Sequence, residues 1–258
     1  QGWIAGNSDT ESGESHATVC RPGPGGAYTA LDLGTLGGTF SWANNILDDG
    51  RVVGLSETAD GAIVAWTWSG HGPLQPLPTL TEGGGNFAVD QNTAGFIVGN
   101  ATDPAFYNHA VSWRRGTITD FSSRFPTDLP YTFATAVNAF EWIVTVANPE
   151  DFSTVRAFLS RGQRVTDLAE ASGSTGYTDA LDINVRGWVA GGTELEGIVS
   201  AGLWLPSRER MFVRAPAARS VAERAAGTTS ITRHLSQPAR SLGMPRQAMR
   251  QHQSQPPR

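Results

Sequence analysis

Carboxylates recur at matching places along the chain: Asp9, Glu11 and Glu14; Glu57 and Asp60; Asp103; Glu150 and Asp151; Glu194 and Glu196. On one face they would form an acidic rim suited to a cation such as Ca2+ or to a basic partner. The plainer reading is a set of solvated turns, where Asp and Glu are ordinary. No loop shows the dense alternation of oxygen ligands that marks an EF-hand. His16 and His109 also occupy equivalent places, but Val64 and Arg156 stand there in other copies, so a structural role is expected rather than a shared metal. Cys20 is the sole cysteine, which excludes an internal disulfide and a multi-cysteine metal site, and it reads as a small buried apolar residue. The chain has no Gly-x-Ser-x-Gly elbow, no phosphate-binding loop ending in Lys and no His-Glu-x-x-His. No catalytic residue and no resident cofactor is expected, with Ca2+ the one ion the rim would suit.

The eight tryptophans divide in two. Trp3, Trp142 and Trp188 each start one strand, and Trp68, Trp113 and Trp204 each end another, so these six are expected to pack between neighbouring elements. Trp42 and Trp66 stand outside those columns and are expected to be exposed aromatic contacts, for instance to carbohydrate.

The elements that would hold these residues show a period. Short apolar runs end at positions 6, 54, 99, 145 and 191 (Trp3 to Gly6, Arg51 to Gly54, Phe96 to Gly99, Trp142 to Thr145, Trp188 to Gly191), spaced 48, 45, 46 and 46 apart. A second run follows each of them, with alanines at 17, 65, 110, 157 and 201. A third precedes them, from Ala43, Ala88, Ala134 and Ala180, closing twice on Asn-x-x-Gly (Asn92 to Gly95, Asn184 to Gly187). Asn first and Gly fourth is what a type I turn prefers, so this segment reads as a hairpin. Glu141 replaces the glycine in one copy, where a turn that is strained or of a different type is expected. A fourth column is Asp32 to Gly38, echoed at Leu77 to Leu80, Asp120-Phe121 and Asp167-Leu168.

Four short strands per 40–50 residues is a propeller-blade signature. The expected fold is all-β, a β-propeller-type array of four-stranded antiparallel blades of about 46 residues. The strand count runs three, then three sets of four, then three, which reads as an incomplete or fragmentary ring.

Charge divides the chain in two. Residues 1–206 hold 22 acidic side chains and 9 Arg, whereas 207–258 hold 2 acidic side chains and 10 Arg. The expected domains are therefore a repeat region, 1–206, and a basic, low-complexity, disordered tail, 207–258. A short helix is expected near 215–226. The abrupt change after Pro206 resembles readthrough into a non-native frame. The acidic body argues against nucleic acid as its partner. No apolar run approaches the ~20 residues of a membrane span, and no signal-peptide pattern opens the chain.

Asp32-Leu33-Gly34-Thr35-Leu36-Gly37-Gly38, Asp48-Asp49-Gly50-Arg51-Val52-Val53-Gly54 and His109-Ala110 with Trp113 resemble the motifs of the extracellular HAF-repeat family. No copy keeps His-Ala-Phe intact: His16-Ala17-Thr18 and Arg156-Ala157-Phe158 each miss one residue. The resemblance covers residues 1–206. It implies repeated β units in a secreted or surface-exposed bacterial protein and brings no catalytic residues. The expected function is a non-catalytic extracellular or cell-surface β-repeat protein presenting a binding or adhesion face to carbohydrate or a protein surface. The alternative is an extracellular propeller-scaffold enzyme acting on polysaccharide.

Overall fold

Most of the described strands are short and rich in β-branched and aromatic residues, and many are closed by a glycine or an Asn/Asp turn, so antiparallel hairpins follow one another. The computed structural model describes residues 2–174, 176–206 and 211–213. The rest of the tail, including the helix expected near 215–226, lies outside the described residues.

Among the described residues, nineteen strands form five consecutive groups. The first holds β1 (Ile4–Asp9), β2 (Ser15–Pro22) and β3 (Tyr28–Asp32). The second holds β4 (Gly37–Ile46), β5 (Val52–Thr58), β6 (Ile63–Trp68) and β7 (Gln75–Pro76). The third holds β8 (Asn86–Gln91), β9 (Phe96–Thr102), β10 (Asn108–Arg114) and β11 (Thr117–Asp120). The fourth holds β12 (Tyr131–Val137), β13 (Ile143–Asn148), β14 (Arg156–Arg161) and β15 (Arg164–Asp167), and the fifth β16 (Thr178–Ile183), β17 (Val189–Leu195), β18 (Ile198–Pro206) and β19 (Met211–Val213). Pairing within each group is antiparallel and sequential, and no sheet closes into a barrel. One parallel pair, Ser15 with Phe40, joins the first two groups into a seven-stranded sheet.

Two expectations need correction. Strand β19 pairs with β18, so the last group has four strands, and pairing runs past residue 206. A three-residue apolar run flanked by charge gives too little periodicity to be read as a strand. The Asp-Leu column, counted as the fourth strand candidate, marks instead where strands stop, because Asp32, Asp120 and Asp167 each end one. Their carboxylates accept the amides of Gly34, Ser122 and Ala169, two residues on, and turn the chain.

The bulge of the first strand falls at Ala43/Asn45, Ala88/Asp90, Ala134/Ala136 and Ala180/Asp182. Opposite it the chain is crowded. A Cβ on Gly54, Gly99 or Gly191 would overlap the carbonyl oxygen of Trp42, Phe87 or Asp179. Thr145 has a glycine's place in the fourth group and is fully buried, with no partner for its hydroxyl.

The core is four separate clusters, one between each pair of consecutive groups. Successive residues of a strand point to opposite faces, so Val52 joins the cluster shared with the first group and Val53 the one shared with the third. Ile97 and Val98 divide in the same way, as do Ile143 and Val144. Trp68, Trp113 and Trp204 fill these junctions with their indole N–H donating to the carbonyls of Gly72, Pro78 and Leu168, as expected of buried packing residues. Polar side chains add to the junctions. Asn92 Nδ2 donates to the Asn138 carbonyl (3.1 Å), and Asn138 Nδ2 to that of Asn184 (3.2 Å). Asp90 accepts from Asn45 Nδ2 and the Gln91 amide on one oxygen and from the Val137 amide on the other, which links three groups.

Candidate functional site

The turn between the second and third strands, which in the three-stranded first group joins β1 to β2, decides what the loops present. In the first four groups its last residue has positive φ and donates its N–H three residues back: Gly13 to Thr10, Gly61 to Thr58, Phe106 to Asp103 and Phe152 to Pro149. Glycine adopts that conformation freely, whereas another L-residue costs about 1–2 kcal/mol. The third and fourth groups nonetheless place phenylalanine there, at φ 66° and 52°. Both rings are displayed, Phe106 at 73% exposure and Phe152 at 54%.

These two loops meet around tyrosines. The Tyr131 ring centroid lies 5.1 Å from that of Tyr107 and 4.8 Å from that of Phe152. Tyr107 Oη donates to Glu150 Oε1 at 2.7 Å, and the carboxylate pushes the phenol pKa up, so the hydroxyl stays protonated. Asp103 accepts the amides of Ala105 and Tyr107 and fixes the loop from below. The result is a tilted aromatic surface with a carboxylate at its edge, able to stack on a flat apolar face and hydrogen-bond to a neighbouring hydroxyl.

Three groups each pair a His or Arg side chain with a carboxylate on a neighbouring strand. His16 Nδ1 is 2.9 Å from Asp32, His109 Nδ1 is 2.8 Å from Asp120, and Arg156 pairs with Asp167. In the second group both partners are missing together, Val64 standing for the cation and Pro76 for the acid. Burial pushes the Asp32 carboxyl up, but the Gly34 amide and His16 outweigh it and hold it below its ordinary value. His109 Nδ1 faces both Asp120 and Ser122 Oγ (3.2 Å), and its Nε2 is 3.7 Å from Asp103. Ser122 shares Nδ1 with Asp120, and Asp103 at 3.7 Å is too far from Nε2 for a hydrogen bond, so serine and carboxylate are not bonded to opposite nitrogens as a relay requires.

The acidic candidates are distributed rather than convergent. Asp9, Glu11 and Glu196 are exposed, and Asp60 and Asp151 accept from Thr58 and the Ser153 amide in their own turns. Glu57 accepts the Thr39 amide and hydroxyl, while Glu194 accepts the Tyr177 amide. Among the described residues no three His, Cys, Asp or Glu side chains are grouped to hold a metal ion. Of the two tryptophans expected at the surface, Trp42 is half-buried, and Trp66 is completely buried, 0% exposed, against the first group. Trp66 thus presents no face to solvent: it lies two residues before Trp68, so both rings point into one junction. Cys20, expected to be buried, is half-buried.

The aromatic loop face escaped the sequence reading, although a signal existed. Gly13, Gly61, Phe106 and Phe152 each stand seven residues after the end of the preceding apolar run, at 6, 54, 99 and 145. A phenylalanine in a glycine's place was the clue. No helix among the described residues is long and apolar enough to cross a membrane. No protein-family model matches the chain, and no curated protein matches it either.

Proposed function

We propose that this chain is a secreted or surface-exposed, non-catalytic β-propeller-type repeat protein, akin to the HAF-repeat family, that binds carbohydrate through the aromatic loop face. One observation carries the reading. Phe106 and Phe152 occupy positive-φ turn positions that are glycine in two other groups, and both rings are displayed to solvent. Strain of this kind is kept where function uses it. Tyr107 and Tyr131 extend the platform, and Glu150 supplies an acceptor at its edge. The paired histidines and dispersed acids support scaffolding rather than catalysis, which needs polar groups converging on one pocket.

Restoring glycine separates binding from folding. The Phe106→Gly/Phe152→Gly double variant should melt higher than the parent, because two strained residues are relieved. It should also lose binding to an oligosaccharide panel measured by calorimetry. Undiminished binding by the double variant would reject the site, and binding by neither protein would reject the carbohydrate assignment.

A further inference from the structure

The turns that join β1 to β2, β5 to β6, β9 to β10, β13 to β14 and β17 to β18 contain no Arg or His. The two at the aromatic face contribute Asp103, Glu150 and Asp151 instead. The strands that follow do not neutralise them. In β10, His109 is held between Asp120 and Asp103, and in β14, Arg156 is paired with Asp167. Glu150 and Asp151 are exposed, and among the described residues neither forms an ion pair. Glu150 Oε1 accepts the Tyr107 hydroxyl, while no donor among the described residues is bonded to its Oε2.

The rings lack a cation as well. Elsewhere in the fold guanidinium groups lie over aromatic rings: Arg21 over Trp3 at 4.2 Å, Arg161 over Trp142 at 5.2 Å and Arg186 over Trp188 at 5.6 Å. Among the described residues no Arg lies over Tyr107, Tyr131 or Phe152. Tyr131 is tilted 54° to Tyr107 and 35° to Phe152, so the three rings present π faces at several angles beside one carboxylate. A ring face attracts an ammonium group, and so does a carboxylate with an oxygen unengaged. Both are left for a ligand to fill.

We propose that this face selects glycans of amino sugars with free, protonated amines over neutral and uronic-acid glycans. The inference rests on the carbohydrate reading of the same face and names the sugar class. The apolar side of one pyranose stacks on Phe152, and an ammonium group donates to Glu150. A neutral sugar keeps the stacking and forgoes the charge. A uronic acid sets its own carboxylate against Glu150 and Asp151 and is repelled. A lysine side chain answers the charge alone, whereas an amino sugar joins the charge to a flat apolar side.

The test is calorimetry of the full chain with hexamers of glucosamine, N-acetylglucosamine and galacturonate, in buffer acidic enough to protonate the sugar amines. Acetylation removes the charge and keeps the sugar, so the glucosamine hexamer should bind about fivefold more tightly than its acetylated form, with galacturonate weakest. Glu150→Gln should weaken the glucosamine hexamer by a larger factor than the acetylated one. Equal or tighter binding of the acetylated or galacturonate hexamer overturns the inference and leaves the carbohydrate face standing. No binding of any hexamer overturns both. A lysine hexamer that binds as tightly as the glucosamine hexamer overturns the inference, because charge alone then accounts for it. So does glucosamine binding that survives Phe106→Gly/Phe152→Gly, which places the attraction elsewhere on the acidic surface.

Discussion

Trp142 packs against Gly187 in the next strand group, so closely that a Cβ on Gly187 would overlap the ring. Trp3 and Gly50 form the same pair three junctions earlier, where the added carbon would come within 2.5 Å of Cζ3. Each turn glycine is therefore needed twice, for its positive φ and for the ring above it.

Alanine scanning separates those two demands. Gly197 has φ 77° and open space around it, so Gly197→Ala should cost about 1 kcal/mol from backbone strain alone. Gly187→Ala should cost about 2–4 kcal/mol, since overpacking adds to a similar strain. Urea unfolding of both variants checks the difference, and equal losses would show that the ring moves aside freely.

Glu141 holds the same turn position in the fourth group at φ 59°, which confirms the strain expected there. Its carboxylate is paired with Arg114 at 2.7 Å, and Arg114 in turn lies 5.9 Å over the Phe96 ring. An exposed pair contributes about 0–1 kcal/mol, less than the strain, so Glu141→Gly should raise the melting temperature slightly. Glu141→Ala, which keeps the strain and loses the pair, should lower it.

Thr145 has a buried hydroxyl without a partner. An unsatisfied buried donor costs about 1–3 kcal/mol, and valine has the same shape. Thr145→Val should stabilise the chain by about 1 kcal/mol in chemical denaturation, whereas Val144→Thr, next to it but fully apolar in its surroundings, should destabilise it.

Asp90 and Asp32 should respond oppositely to pH. Burial raises the Asp90 pKa despite the Val137 and Gln91 amides that bond it, and the Asp182 carboxylate adds to the rise. Its contribution to stability is complete below the ordinary carboxylate pKa and is lost as pH climbs through the raised value. The advantage of the parent over Asp90→Asn in melting temperature should therefore be larger near about pH 4 than near about pH 7. Asp32 is held low, so the advantage of the parent over Asp32→Asn should shrink as pH falls below the carboxylate range. The same slope for both pairs would contradict these assignments.

The all-β class was legible because each strand carried its own pattern and its own turn residue, as at Asn92 to Gly95, where the expected hairpin forms. What lay between strands was harder to read. His16 and Asp32 are 16 residues apart, but His109 and Asp120 only 11, because the connecting turns differ in length, so only strand register reveals them as one kind of pair. Trp66 was misjudged because it departs from a column, although its two-residue offset from Trp68 already placed both rings on one side. Phe106 and Phe152 were hidden for the opposite reason: loop residues were weighed by charge rather than by the backbone conformation their position demands.

Val52 and Val53 are joined by one peptide bond yet sit in different cores. Each interior sheet is thus a party wall between two dry compartments, and its free energy includes a coupling to each side. Among the described residues the first and fifth groups each border one such compartment. Amide exchange should therefore be fastest in the first and fifth groups, which fewer buried contacts hold, and slowest in the third. By the same arithmetic, evolution could insert or delete a whole group without disturbing any junction except the one it enters, while a single-residue deletion in β9 would turn two compartments inside out at once.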